Sequence, residues 1–117
     1  DMSYLNQLLI RGTTVGLDRF QSNLPEEEKI RRSQIALDLI QSGFGDQICL
    51  GHDSAAYSLN LGPTSGGGRA EDSDCWSPVP DWQIPWLIEQ GVSNSDIDDV
   101  MSRSIAKTFD AASKMSR

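Results

Sequence analysis

Apolar positions along the chain change period several times, and each change marks an element. Met2, Leu5, Leu8 and Leu9 recur at helical spacing over residues 1–11, with Gly12 placed to stop the helix. "TTVGLDRF" then gathers β-branched and apolar residues into a short run that predicts a buried strand. "NLPEEEKIRRSQIALDLIQSG" carries the strongest helical pattern. Pro25 and three glutamates suit its first turn, Ile30, Ala36, Leu37 and Ile40 suit one face, and Gly43 suits its end. "DQICLGHD" is a second apolar run without polar alternation, read as a strand buried on both faces.

The order helix, strand, helix, strand leaves room for a helical crossover, so the two strands are expected to be parallel neighbours. The fold class expected is α/β. Both strands end in charged or polar groups, Asp18 and Arg19 in one and His52 and Asp53 in the other. In parallel α/β folds that edge is where ligands bind.

Residues 54–80 show no sustained period and are rich in Gly, Ser and Pro, which predicts a long loop. Its "GGG" neither follows a strand directly nor carries the lysine of a phosphate-binding loop. "PDWQIPWLIEQG" predicts a short helix begun or interrupted at Pro85 and closed by Gly91. "SNSDIDDVMSRSIAKTFDAASK" predicts a final helix capped by Ser93 and Asp96, with Ile97, Val100, Met101, Ile105 and Phe109 as its core-facing stripe.

Composition narrows the function classes. The chain has 117 residues, the size of one domain, and 38% are hydrophobic. Seventeen acidic against ten basic side chains give a formal charge of −7, which argues against a phosphate-backbone partner and so against nucleic acid. No run is long and apolar enough to suggest a membrane span. Cys49 and Cys75 lack metal-type spacing and are expected to be reduced thiols, which points to a cytoplasmic location. The chain starts on Asp1 with a helix already under way, which reads as a piece of something longer.

Among the groups able to do chemistry, Asp53 stands first. A carboxylate at a strand mouth can ligate a divalent metal or take a proton, and it can equally be a solvated turn residue. His52, the only histidine, is expected to be a packing or supporting group. Arg19 can clamp a substrate oxygen or form an ion pair across the strands, and Asp18 stands beside it. Trp76, in the loop, is the tryptophan expected to touch substrate, while Trp86 is expected in a helix core. The isolated chain lacks the ligands of a complete metal site.

Three blocks, "YLNQLLIRGTTVGLDRF", "LIQSGFGDQICLGHD" and "IPWLIEQGVSNSDID", stand in an order that resembles the C-terminal third of the phosphotriesterase-like proteins of the amidohydrolase superfamily. The resemblance runs from about residue 1 to about residue 110. It implies the last portion of a (β/α)8 barrel, with "TTVGLD" as strand seven and "ICLGHD" as strand eight. It further implies a helix end at 1–11, a strand–helix–strand unit at 13–53, a substrate-side loop at 54–80 and C-terminal helices at 81–117.

On the same resemblance, Asp53 is the last-strand aspartate that ligates one of two divalent metals and accepts a proton from the bridging hydroxide. Zinc is the expected metal, with manganese, cobalt and iron as alternatives. Arg19 lies beside the substrate pocket, and His52 precedes the metal aspartate. Substrates implied are lactones, carboxylic esters or organophosphate triesters. The family's HxH pair, bridging lysine or glutamate, and two further histidines have no counterpart in this chain. The ending "SRSIAKTFDA" also departs from the family's usual one. A reading of another class is therefore carried alongside: a non-catalytic remnant or self-assembling module, joined as a homodimer or to a missing N-terminal barrel portion.

Overall fold

A computed structural model describes residues 2–53 and 77–115. Helix α1 (Met2–Ile10) leads to strand β1 (Val15–Leu17), helix α2 (Glu26–Gln41), a short 3₁₀ turn at Gly45–Gln47 and strand β2 (Ile48–Leu50). After residue 77 come α3 (Ile84–Glu89), α4 (Asn94–Asp98) and α5 (Ser104–Met115). A wide five-residue π turn leads into α3, and another joins α4 to α5.

The two strands pair in parallel, with Val15 opposite Ile48, Gly16 opposite Cys49 and Leu17 opposite Leu50. This is the pairing expected of a helical crossover. Each strand is only three residues long, shorter than the apolar runs suggested. Nor are they buried on both faces: Ile48 is buried, Val15, Leu17, Cys49 and Leu50 are half-buried, and Gly16 is exposed. Among the described residues the sheet has only these two strands, so each has a neighbour on one side only.

Glycines close the helices where a left-handed residue is needed. Gly12, Gly43 and Gly91 have φ of +83°, +85° and +92°, a region that costs a side chain but not glycine. At α2 the amide of Gly43 donates to Ile40 and that of Phe44 to Leu39, which satisfies carbonyls the helix end leaves open. Pro25 sits at the cap of α2 in extended conformation, one position before the first helical turn. Ser93 accepts the amide of Asp96 and donates its hydroxyl to the Asp96 carboxylate, the box the sequence predicted.

The core joins Leu9 of α1, Leu37, Leu39 and Ile40 of α2, Ile48 of β2, Leu87 of α3, Val92 and Val100. Two assignments differ from the sequence pattern. Ile30 is exposed, one turn beyond the part of α2 that meets the core, while Leu39 is fully buried and widens the packed face. The helix at Pro85 also starts earlier than expected and runs through the proline. Pro85 has no N–H to give, and just upstream the Ile84 amide reaches back five residues to the Val79 carbonyl.

The final helix departs most from expectation. It is two helices joined by the wide turn Asp99–Arg103, where the Ser104 amide bonds the Asp99 carbonyl. The face turned inward carries Val100 and Ser104, with Ser104 3.5 Å from the Cys49 sulfur; one turn on, the exposed Thr108 lies 3.3 Å from Thr14. The more apolar stripe, Met101, Ile105 and Phe109, stands one position further round and is exposed. Small residues let the helix approach the strands closely, and that contact sets its rotation.

Leu39 has no exposure and sits at the centre of the core, so Leu39→Ala should destabilise the fold by about 2–5 kcal/mol. Phe109→Ser, on the uncovered stripe, should cost under about 0.5 kcal/mol. Urea unfolding of both variants checks this, and equal losses would mean that α5 buries the other face.

Candidate functional site

Parallel pairing brings both strand ends to one edge, and backbone bonds continue past the sheet. The Gly51 amide donates to the Leu17 carbonyl at 3.1 Å, and the Phe20 amide donates to the Gly51 carbonyl at 3.1 Å. These two bonds hold residues 18–19 and 52–53 side by side. Arg19 and Asp53 follow the two strands in left-handed conformation, with φ of 64° and 53°. They are the non-glycine residues in that region among those described, and such conformations persist only where the surroundings enforce them.

The Arg19 Nε lies 3.3 Å from Asp53 Oδ2. This is the cross-strand ion pair left open by the sequence. Both side chains are more than half exposed, so the pair contributes at most about 1 kcal/mol. Each left-handed residue costs roughly 1–2 kcal/mol. The ion pair alone does not offset that, and the backbone bonds of Gly51 with Leu17 and Phe20 hold the turns in place.

Arg32 on α2 supports the first turn by donating from Nη1 to the Arg19 carbonyl at 3.2 Å. Its Nε is bonded to Glu28, which also takes two bonds from Arg31. These hydrogen bonds, Arg31 first and Arg32 second, hold the Glu28 carboxyl at about 2, below the usual carboxylate range. The Arg32 contact was not signalled by the motif around Arg19. Its sequence signal is the Glu28–Arg32 spacing, which orients one guanidinium towards the strand end.

His52 joins the strand end to a later segment of the chain. Its Nε2 accepts the backbone amide of Val79 at 3.0 Å, capping a helix start 27 residues away. That requires a neutral imidazole with the proton on Nδ1. Burial also pushes the His52 pKa below its ordinary value. Asp18 is exposed and lies beside Gly51.

Aromatic rings extend from the same edge. Phe20 is buried against Trp82, with ring centres 5.7 Å apart, and Trp82 stacks on Trp86 at 6.3 Å. Lys29 lies over the Trp82 ring at 5.7 Å. Trp86 packs against the core as expected. Trp76, Cys75 and residues 54–76 of the expected substrate-side loop lie outside the described residues.

Among the described residues no group of three or more His, Cys, Asp or Glu is arranged to hold a metal ion. Asp53 is a suitable oxygen donor, but the described residues alone do not make a two-metal centre. No helix among them is long and apolar enough to cross a membrane.

No family model matches the sequence, and no curated protein matches it. A solved structure does: the phosphotriesterase from Mycobacterium tuberculosis superposes with a TM-score of 0.69 at 22% identity. The match covers 89% of this chain and 32% of that one, so the chain spans about a third of the solved structure's length. At this identity the likeness shows a shared fold.

Two measurements check the local physics. Arg19→Gly should be more stable than Arg19→Ala by about 1 kcal/mol, because only glycine is unstrained at this φ. Equal stabilities would mean that the turn is not left-handed. His52 contributes stability above its unfolded pKa of about 6.5. That contribution should be lost as pH falls below this value towards the depressed folded pKa, because the unfolded chain takes the proton first. His52→Gln should flatten the stability profile over that window.

Proposed function

We propose that this chain supplies the Asp53–Arg19 edge of a metal-dependent hydrolase acting on ester bonds. Lactones, carboxylic esters and organophosphate triesters are the substrate class. The observation that supports it most is the placement of Asp53 and Arg19, side by side in left-handed turns at the ends of two parallel strands. Strand ends of this kind are where parallel α/β enzymes bind and react. The likeness in fold to a phosphotriesterase points the same way.

In this reading Asp53 is both a metal ligand and the proton acceptor. Two divalent ions, zinc or alternatively manganese, cobalt or iron, would supply Lewis-acid activation of the ester and of water. Asp53 would provide one oxygen donor, and further donors would come from polypeptide beyond these residues. Arg19 has two tasks: it holds the carboxylate in place at the edge through their ion pair, and it can donate to a substrate oxygen. Asp18 borders the same edge and Trp76 contributes an aromatic contact to substrate. His52 positions the start of the 79–83 turn against the strand end through Val79.

The test is hydrolysis of a lactone and of a phosphotriester by the full-length protein loaded with zinc, manganese or cobalt. Asp53→Asn should lower kcat by about 10²–10⁴-fold, the range for loss of a positioned proton acceptor. Arg19→Gln should chiefly raise KM. Undiminished kcat in Asp53→Asn, or no hydrolysis of either substrate, would refute the assignment.

A further inference from the structure

The peptide unit between Arg19 and Phe20 is planar, with its N–H and C=O pointing in opposite directions. Its N–H donates to the Gly51 carbonyl at 3.1 Å, and its C=O accepts Arg32 Nη1 at 3.2 Å. The plane is therefore held from both sides, by the continuation of β2 and by α2. Phe20, where the chain leaves the plane, is 1% exposed and packs on Trp82, so the turn has no free hinge on that side. Held in this way, the backbone of Arg19 keeps its φ of 64° and aims a side chain that is itself 70% exposed and gains little from packing.

Arg32 is placed for this role and its neighbour Arg31 is not. Its side chain is 31% exposed against 64% for Arg31, and it reaches back 13 residues along the chain. Its Nε is bonded to Glu28 Oε1 at 2.8 Å. A guanidinium is rigid and planar, so fixing Nε fixes where Nη1 points. Arg31 in turn donates to both carboxylate oxygens of Glu28 and so steadies the anchor.

We propose that Arg32, anchored by Glu28, is a positioning residue that aims the Arg19 guanidinium at the strand mouth. This rests on the reading of Arg19 as a donor to a substrate oxygen. Pairing with Asp53 through Nε leaves Arg19 with further N–H donors for that contact. A side chain this long moves its tip by about 1 Å for a small turn of its backbone, a displacement that is costly at a reacting centre. Arg32 acts through Arg19 and does not itself meet substrate.

The test has two arms. Hydrogen exchange on the full-length protein reads the brace without substrate. Arg32→Gln should speed exchange of the Phe20 amide about threefold to tenfold and leave that of Cys49, within the sheet, unchanged. Steady-state hydrolysis of the lactone and the phosphotriester reads the consequence: Arg32→Gln should raise KM about fivefold and leave kcat within about twofold. Glu28→Gln, which loosens Arg32 without removing it, should shift KM in the same direction by less. In an Arg19→Gln background, Arg32→Gln should change KM no further, whereas a general loosening of the fold would add to it. Unchanged Phe20 exchange in Arg32→Gln, or a KM effect that persists without Arg19, would overturn the proposal. If the parent protein hydrolyses neither substrate, the ester-hydrolase reading falls, and Phe20 exchange alone decides whether Arg32 braces the turn.

Discussion

The parallel register of β1 and β2 is the constraint on which the rest depends. Leu17 opposite Leu50 sets the Gly51 amide on the Leu17 carbonyl, and the Gly51 carbonyl in turn takes the Phe20 amide. Those two bonds place Arg19 next to Asp53 and fix both in a conformation that neither residue prefers. A slip of β1 by one residue would turn Leu17 away from the core and carry Arg19 out of reach of Asp53. Packing thus sets the register, and the register sets the site.

Energetics separates what holds the fold from what the edge is for. The core around Leu39, Ile48 and Leu87 supplies stability, each fully buried side chain contributing about 1.5–3 kcal/mol. The exposed Arg19–Asp53 pair adds little, and the two left-handed turns subtract from the total. The left-handed turns at the strand mouth are held by the backbone bonds of Gly51 and, at Arg19, from behind by Arg32. His52 connects this edge to the later helices by capping the turn at Val79.

Much of this was legible in the sequence because local chemistry agreed with the fold. Gly12, Gly43 and Gly91 ended their helices, Ser93 and Asp96 formed their box, and the crossover implied parallel strands. The pairing of Arg19 with Asp53 was foreseeable as one of two alternatives, since both follow apolar runs. The features that were missed depend on contacts between distant segments. Nothing in the periodicity of residues 97–109 shows that Ser104 would meet Cys49 and turn Met101, Ile105 and Phe109 outward. Apolar spacing identifies a stripe, but small residues decide how closely a helix approaches and so which face is covered. Likewise, the partner of His52 lies 27 residues away, and no local pattern could name it.

The most direct test of the central claim is hydrogen exchange at the Gly51 amide. If the register holds the two strand ends together, this amide exchanges nearly as slowly as that of Cys49, which the same alternation turns towards β1, because both open only with the sheet. Fast exchange at Gly51 with a protected Cys49 would show that the strand ends are not tied. The juxtaposition of Arg19 and Asp53 would then lose its structural basis.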